Sequence, residues 1–395
     1  LMLMPISLMM NALFLAVGAF AKDFKDGQNY LTPVLMSMLI PLSATMLPGI
    51  EMNGYLAFMP IVNIALLIKG VFVNEWQAET LFLTLLSSFI YAGLALLLAS
   101  KIFEKNNVLL GGREGVRGIF DFRRVPGDRP TPGISFFAFS LVLVLSFYGS
   151  ISLVKYGIIT MLAVTQYGFF LLPVLAFIYF KGYNWRDVLS LRPLPFKGVV
   201  GAVLIGLSGW TIGGGLLVRL LPPPESLTKS LSKILLLDDK PVLAWELWLI
   251  IAITPALCEE TVFRGLILSG FRRLGKWQAI LLTGFLFGLA HSSIYRLLPT
   301  FFLGVVFAYA VWKTGSIYAG MIAHALNNGL MAMMARSKTL AQTLGLSNQK
   351  YMPWEIIAAG AVIFVIGMLL ISAFREPPPE TARGGSDALP SEATA

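Results

Sequence analysis

The fold class this sequence predicts is all-α: a polytopic transmembrane helix bundle of about twelve helices in two membrane modules. Three observations predict it. Of 395 residues, 56% are hydrophobic and 13% charged, with a mean hydropathy of +0.76, where soluble domains run at about 25% charged. Apolar runs of spanning length, about 17–25 residues each, recur along the whole chain. A basic stretch rich in Gly and Pro divides those runs into two groups.

In order, the runs lie near 3–21, 31–48, 55–73, 80–100, 134–153, 157–180, 198–220, 244–269, 278–292, 297–312, 316–334 and 354–374. Each is read as a helix, because a spanning segment must satisfy its own backbone hydrogen bonds. The run at 278–292 is short, and 31–48 carries Pro33, Pro41 and Pro48, so the count has a margin of one or two. Residues 101–133 carry seven Lys/Arg among Gly and Pro. They set a cytoplasmic linker at 106–133 between a first module at 1–105 and a second at 134–375. Alternating outward from that linker places KGYNWRDVLSLRPLPFKG, FRRLGK and the REPPPETARGG tail on the cytoplasmic side as well, and the acidic NEWQAE outside. The basic loop RSKTLAQTLGLSNQK fits this orientation least well. Residues 222–242 then form an external loop with a short amphipathic helix, and 376–395, rich in Pro, Gly, Ser and Thr, are expected to be disordered.

The formal charge of +9 is accounted for as a topology signal, so nucleic acid is not an expected partner. A single cysteine, Cys258, excludes an intrachain disulfide and a Cys-rich metal site. The first apolar run lacks the basic flank of a signal peptide. The chain opens on Leu1, from which a longer upstream protein is expected.

Against this background CEETVFRGLIL, residues 258–268, stands out. A charge at the bilayer centre costs about 2.5–3.5 kcal/mol even on the translocon scale, so Glu259, Glu260 and Arg264 are expected to pair or to act. On a helix Glu260 lies over Arg264, acid first, the better order for an ion pair. Glu259 points about 100° away, toward another helix. The two histidines of the chain fall in later apolar runs: His291 ends FGLAH, one turn after Phe287, and His324 opens HALNN, one turn before Asn328. Imidazole, carboxylate and amide gathered in a low-dielectric bundle can activate water and stabilise an oxyanion. Simpler readings stand beside these. Glu260 and Arg264 serve as a packing pair, Asn327 and Asn328 as interhelical glue, Phe287 as packing that positions His291, and Cys258 as a small residue filling an interface.

EETVFR, FGLAH and HALNN resemble, in order and on apolar segments, the three motifs of the CPBP family, the CAAX protease and bacteriocin-processing intramembrane proteases also called Abi or Rce1-like. The resemblance covers residues 134–375. It implies hydrolysis of peptide bonds in or near the membrane, with Glu259 and His291 activating water, His324 and Asn328 forming the oxyanion hole, and Glu260 and Arg264 orienting the site with Phe287. Residues 1–105 resemble more weakly the C-terminal helices of ABC-2-type permeases of the sodium-efflux class. Such a permease would need a separate ATPase subunit, since no P-loop occurs in this chain.

The expected function is thus a CAAX prenyl protease-like endopeptidase fused to a permease-like module, multi-pass in a bacterial-type plasma membrane, with the lipid bilayer and a peptide or protein substrate as partners. The alternatives are a transporter subunit with the buried Glu and His residues as an ion path, and a non-catalytic immunity or scaffold protein of the same fold. The sequence fixes no cofactor and leaves a divalent metal such as zinc open. A zinc-like divalent metal would take Glu259, His291 and His324 as ligands, but the histidines are 33 positions apart (324 minus 291), unlike the one-turn spacing of HExxH enzymes. A metal-free site explains Asn328 better, because an amide is a good donor to an oxyanion.

Overall fold

A computed structural model describes residues 3–18, 24–45, 50–104, 129–225, 243–337 and 351–374. Most of the expected linker and external loop, and the tail at 376–395, lie outside the described residues. The described chain is helical throughout, with no strand among its described residues. The helices are α1 (Met4–Gly18), α2 (Phe24–Ala44), α3 (Gly54–Phe58), α4 (Val62–Phe72), α5 (Ala78–Glu104), α6 (Pro132–Leu153), α7 (Ile158–Lys181) and α8 (Phe196–Arg219). After them come α9 (244–271), α10 (Lys276–Ala290), α11 (Ile294–Thr314), α12 (Ile317–Arg336) and α13 (Trp354–Ser372).

Among the described residues, six helices are long and apolar enough to cross a membrane by length and composition: most of α5, then α6 to α8, α11 and α13. The other expected runs are shorter or more polar. One expected span, 55–73, is two helices. Pro60 has no N–H to continue a ladder, and Ile61 takes φ 73°, a conformation rare for a β-branched residue. The break is held from outside: the Phe58 carbonyl accepts from the hydroxyls of Tyr91 at 2.7 Å and Tyr148 at 3.0 Å.

The core joins both groups of helices. Phe58, Leu86 and Ile90 belong to the same buried cluster as Phe139, Phe263 and Phe287. Phe58 stacks on Phe147 with ring centroids 4.0 Å apart, and Glu79 of α5 accepts from the backbone N–H of Ile294 at the start of α11.

Small residues bring the helices of the second group close, as packing between apolar helices requires. A Cβ at Gly304 of α11 would stand 2.8 Å from the Gly284 carbonyl of α10. These two helices form a tight antiparallel pair. His291 caps α10, Ser292 turns the chain at φ 48°, and α11 begins two residues later. Gly201 of α8 and Gly367 of α13 approach as closely, each Cβ position lying about 3 Å from the other's carbonyl. Around the later helices the backbone widens into π turns at Val164–Leu171, Thr211–Leu216, Trp248–Ile253 and Thr261–Ile267, a feature frequent at functional sites.

Candidate active site

The site starts with one buried ion pair. Arg264 Nη1 donates to Glu260 Oε1 at 2.7 Å, and neither side chain reaches the surface. Arg264 is the bulkiest of the fully buried described side chains. Its Nη2 donates to the Gly304 carbonyl at 2.9 Å, and its guanidinium lies over the rings of Phe287 at 4.4 Å and Phe307 at 5.3 Å. A charge this deep is tolerated only when paired and hydrogen-bonded, and here the partners come from three helices. Gly320 of α12 leaves the space that Glu260 fills, because a Cβ there would collide with Glu260 Oε2.

Glu260 has a second partner that helix geometry alone could not supply. His324 Nδ1 lies 2.9 Å from the same Oε1. A carboxylate accepts only, so Nδ1 carries the proton and Nε2 points away, toward Glu259 Oε2 at 3.9 Å. His324 stacks on Phe307, with ring centroids 5.4 Å apart and planes 25° from parallel. Glu259, on the adjacent face of α9 as expected, accepts from Gln166 Nε2 of α7 at 2.8 Å.

His291 Nδ1 lies 2.9 Å from the Phe287 carbonyl. The carbonyl likewise fixes the proton on Nδ1 and leaves Nε2 as an acceptor in the neutral ring. The Phe287 ring meets both imidazoles edge-on, at 5.0 Å for His291 and 5.7 Å for His324. Asn328 Nδ2 donates to the Ile251 carbonyl at 3.4 Å, so one amide N–H is spare, and Asn327 Nδ2 donates to Asn328 Oδ1 at 3.3 Å.

A cavity of about 500 Å³ connects these groups; Gln166, Glu259, His291, Arg296, His324 and Asn328 all line it. Its volume is in the range of small-molecule sites. The structure therefore brings together Glu259, His291, His324, Asn328 and Phe287 in the lining of one cavity, with Glu260 and Arg264 packed behind His324. Cys258 is wholly buried and does not line the cavity.

Residues 241–330 match the family model of the type II CAAX prenyl endopeptidase Rce1-like proteins. The matched segment runs from the start of α9 into α12 and contains all three motifs. No curated protein and no solved structure matches the chain. The match begins far beyond residues 1–105 and lends nothing to their permease resemblance.

Three features escaped the sequence reading. Gln166 and Arg296 are cavity residues, and a polar side chain in or beside an apolar run was the signal that could have found both. The bond from His324 to Glu260 had no signal in one sequence, since it depends on how α9 and α12 pack. The conditional metal set of Glu259, His291 and His324 does not form a ligand shell as placed. Gln166 holds Glu259, and no group of three or more His, Cys, Asp or Glu side chains that could hold an ion occurs among the described residues.

Proposed function

We propose that this chain is an intramembrane endopeptidase of the CAAX prenyl protease-like kind, embedded as a multi-pass protein in a bacterial-type plasma membrane. The observation that carries the reading is the shared cavity: two imidazoles of defined tautomer, a carboxylate and an amide line one space of about 500 Å³. Glu259 is the general base, held by Gln166 with its second oxygen turned to the cavity. His291, with Nδ1–H committed to the Phe287 carbonyl, offers Nε2 to orient the attacking water. Attack on the peptide carbonyl places negative charge on its oxygen. Asn328 donates its spare N–H there, and His324 donates from Nε2 when the ring carries both protons, with Glu260 accepting from Nδ1. The proton taken by Glu259 then passes to the departing amine. Every group in this cycle belongs to the chain. We assign residues 1–105 as a permease-like accessory segment, on resemblance alone.

The test is Glu259→Gln in the purified protein reconstituted in lipid, with prenylated and unprenylated CAAX peptides followed by mass spectrometry. The amide still accepts from Gln166 but cannot take a proton from water. The expected result is loss of cleavage by about 10²-fold or more, the lower end of general-base contributions, with unchanged helical circular dichroism. Near-parental cleavage by the variant removes Glu259 from the chemistry. An ion flux that falls in parallel, with no cleavage by the parent, would favour the transporter reading.

A further inference from the structure

The two ends of the second group of helices differ in charge. The turn after α11 meets the loop after α7: Ser316 Oγ donates to the Arg192 carbonyl at 2.6 Å and the Ile317 N–H to the Ser190 carbonyl at 3.0 Å. The turn after α9 lies at the same end, because the Arg272 guanidinium stands 4.7 Å from the centroid of the Trp312 ring. So does the start of α6, where Pro130 and Thr131 approach Gly270. Apart from the buried Arg264, the described residues from Arg129 onward carry thirteen Lys and Arg. Nine belong to this end, and Asp187 is the one acid there among the described residues. The opposite end holds Lys155, Arg219, Arg296 and Arg336 against Glu225, Glu246 and Glu355. Short connections rich in Lys and Arg stay in the cytoplasm, which makes the basic end the cytoplasmic one.

The cavity lies in the other half. From Pro223 and Tyr295 near the less basic end it runs inward to Glu259, Phe307 and His324. Each of these three stands within one turn of the middle of its own helix, and no lining residue lies nearer the basic end. The basic half is closed by packing: Val262, Phe263, Leu266, Ile280, Val311 and Ala319 are each no more than 1% exposed. Interiors packed in this way leave no passage for a chain.

We propose that the catalytic cavity opens to the non-cytoplasmic face and that its substrates are exported polypeptides, cut at bonds that enter the outer half of the membrane. The inference rests on the endopeptidase reading and narrows its substrate. A peptide end presented from the cytoplasm would have to cross the closed half to reach Glu259 and His291. A segment presented from outside meets the mouth at Pro223 and Tyr295 directly. The reaction is then a step that follows export, acting on a chain already carried across the membrane or inserted in it.

The experiment has two arms, both on the full chain. In the first, Glu225→Cys beside the mouth and Lys197→Cys at the basic end are treated with a membrane-impermeant maleimide in intact bacterial cells, then again after permeabilisation. The native Cys258 is buried and serves as the unlabelled background. Glu225→Cys is expected to label in intact cells, and Lys197→Cys only after permeabilisation. In the second arm, proteoliposomes of one orientation receive a fluorogenic, charged, degenerate peptide library either outside or enclosed, and cleavage is scored as the part lost in Glu259→Gln. Cleavage is expected for peptide supplied on the Glu225 face and lost for peptide supplied on the Lys197 face. Labelling in the reverse order overturns the proposal. So does cleavage confined to the Lys197 face, or equal from both faces, when the labelling is as expected. No cleavage from either face overturns the endopeptidase reading and this substrate with it, while the labelling still decides which way the cavity opens.

Discussion

Replacing Arg264 by Ala should be among the costliest single changes in this protein, and the structure gives the scale. The side chain is fully buried, donates to Glu260 and to the Gly304 carbonyl, and lies over Phe287. Its loss leaves Glu260 as a buried charge without its cation, a cost of about 3–5 kcal/mol. The orphaned Gly304 carbonyl adds about 1–3 kcal/mol. Glu260→Ala should cost a similar amount, because the guanidinium loses its counter-charge and His324 Nδ1 loses its acceptor. The double variant removes both charges together and should cost about 2–3 kcal/mol less than the sum of the two singles. Arg264→Lys keeps the charge but not the forked geometry that reaches Glu260 and Gly304 at once, so it should fall between parent and Ala. Equilibrium unfolding in mixed micelles, followed by circular dichroism for the four members of the cycle, measures this. Additive single effects would mean that the pair contributes no interaction of its own, and the account of a locked cluster behind the site would fail.

Exhaustive chelation should leave peptide cleavage unchanged, since Glu259 is held by Gln166 and His324 by Glu260; cleavage lost to chelator and restored by zinc, manganese or cobalt would reinstate Glu259, His291 and His324 as ligands. A chain beginning near Gly133 should keep its peptidase activity but melt at a lower temperature, because it loses the Phe58–Phe147 stack and the Glu79 bond to α11. A melting temperature equal to that of the full chain would show that the first helices contribute no stability to the second group.

The helices were legible wherever one long apolar run coincides with one element, as from α5 to α13, because hydropathy and helix length are set by the same bilayer thickness. The break at Pro60 was less legible: the apolar run continues through it, and only the missing N–H marks the place. Within the site, Glu260 and Arg264 could be paired from sequence because both lie on one helix at a spacing that geometry fixes. His324 on Glu260 and Gln166 on Glu259 join different helices, and no periodicity within a helix reports such contacts. The motifs therefore named residues that the fold brings to one cavity or packs behind it, but not which residue holds which.

Phe287 has a consequence for how the site tolerates motion. Its ring touches the Arg264 guanidinium with its face and both imidazoles edge-on, and Phe263 packs against it at 5.1 Å. The two histidines stand on separate helices, yet both are referenced to this one rigid body. A small shift of α10 carries the ring and His291 with it and presses His324 the same way, so positional errors in the two imidazoles become correlated. What the proposed hydrolysis requires is the separation between them, and a common bearing conserves a separation better than two independent anchors would.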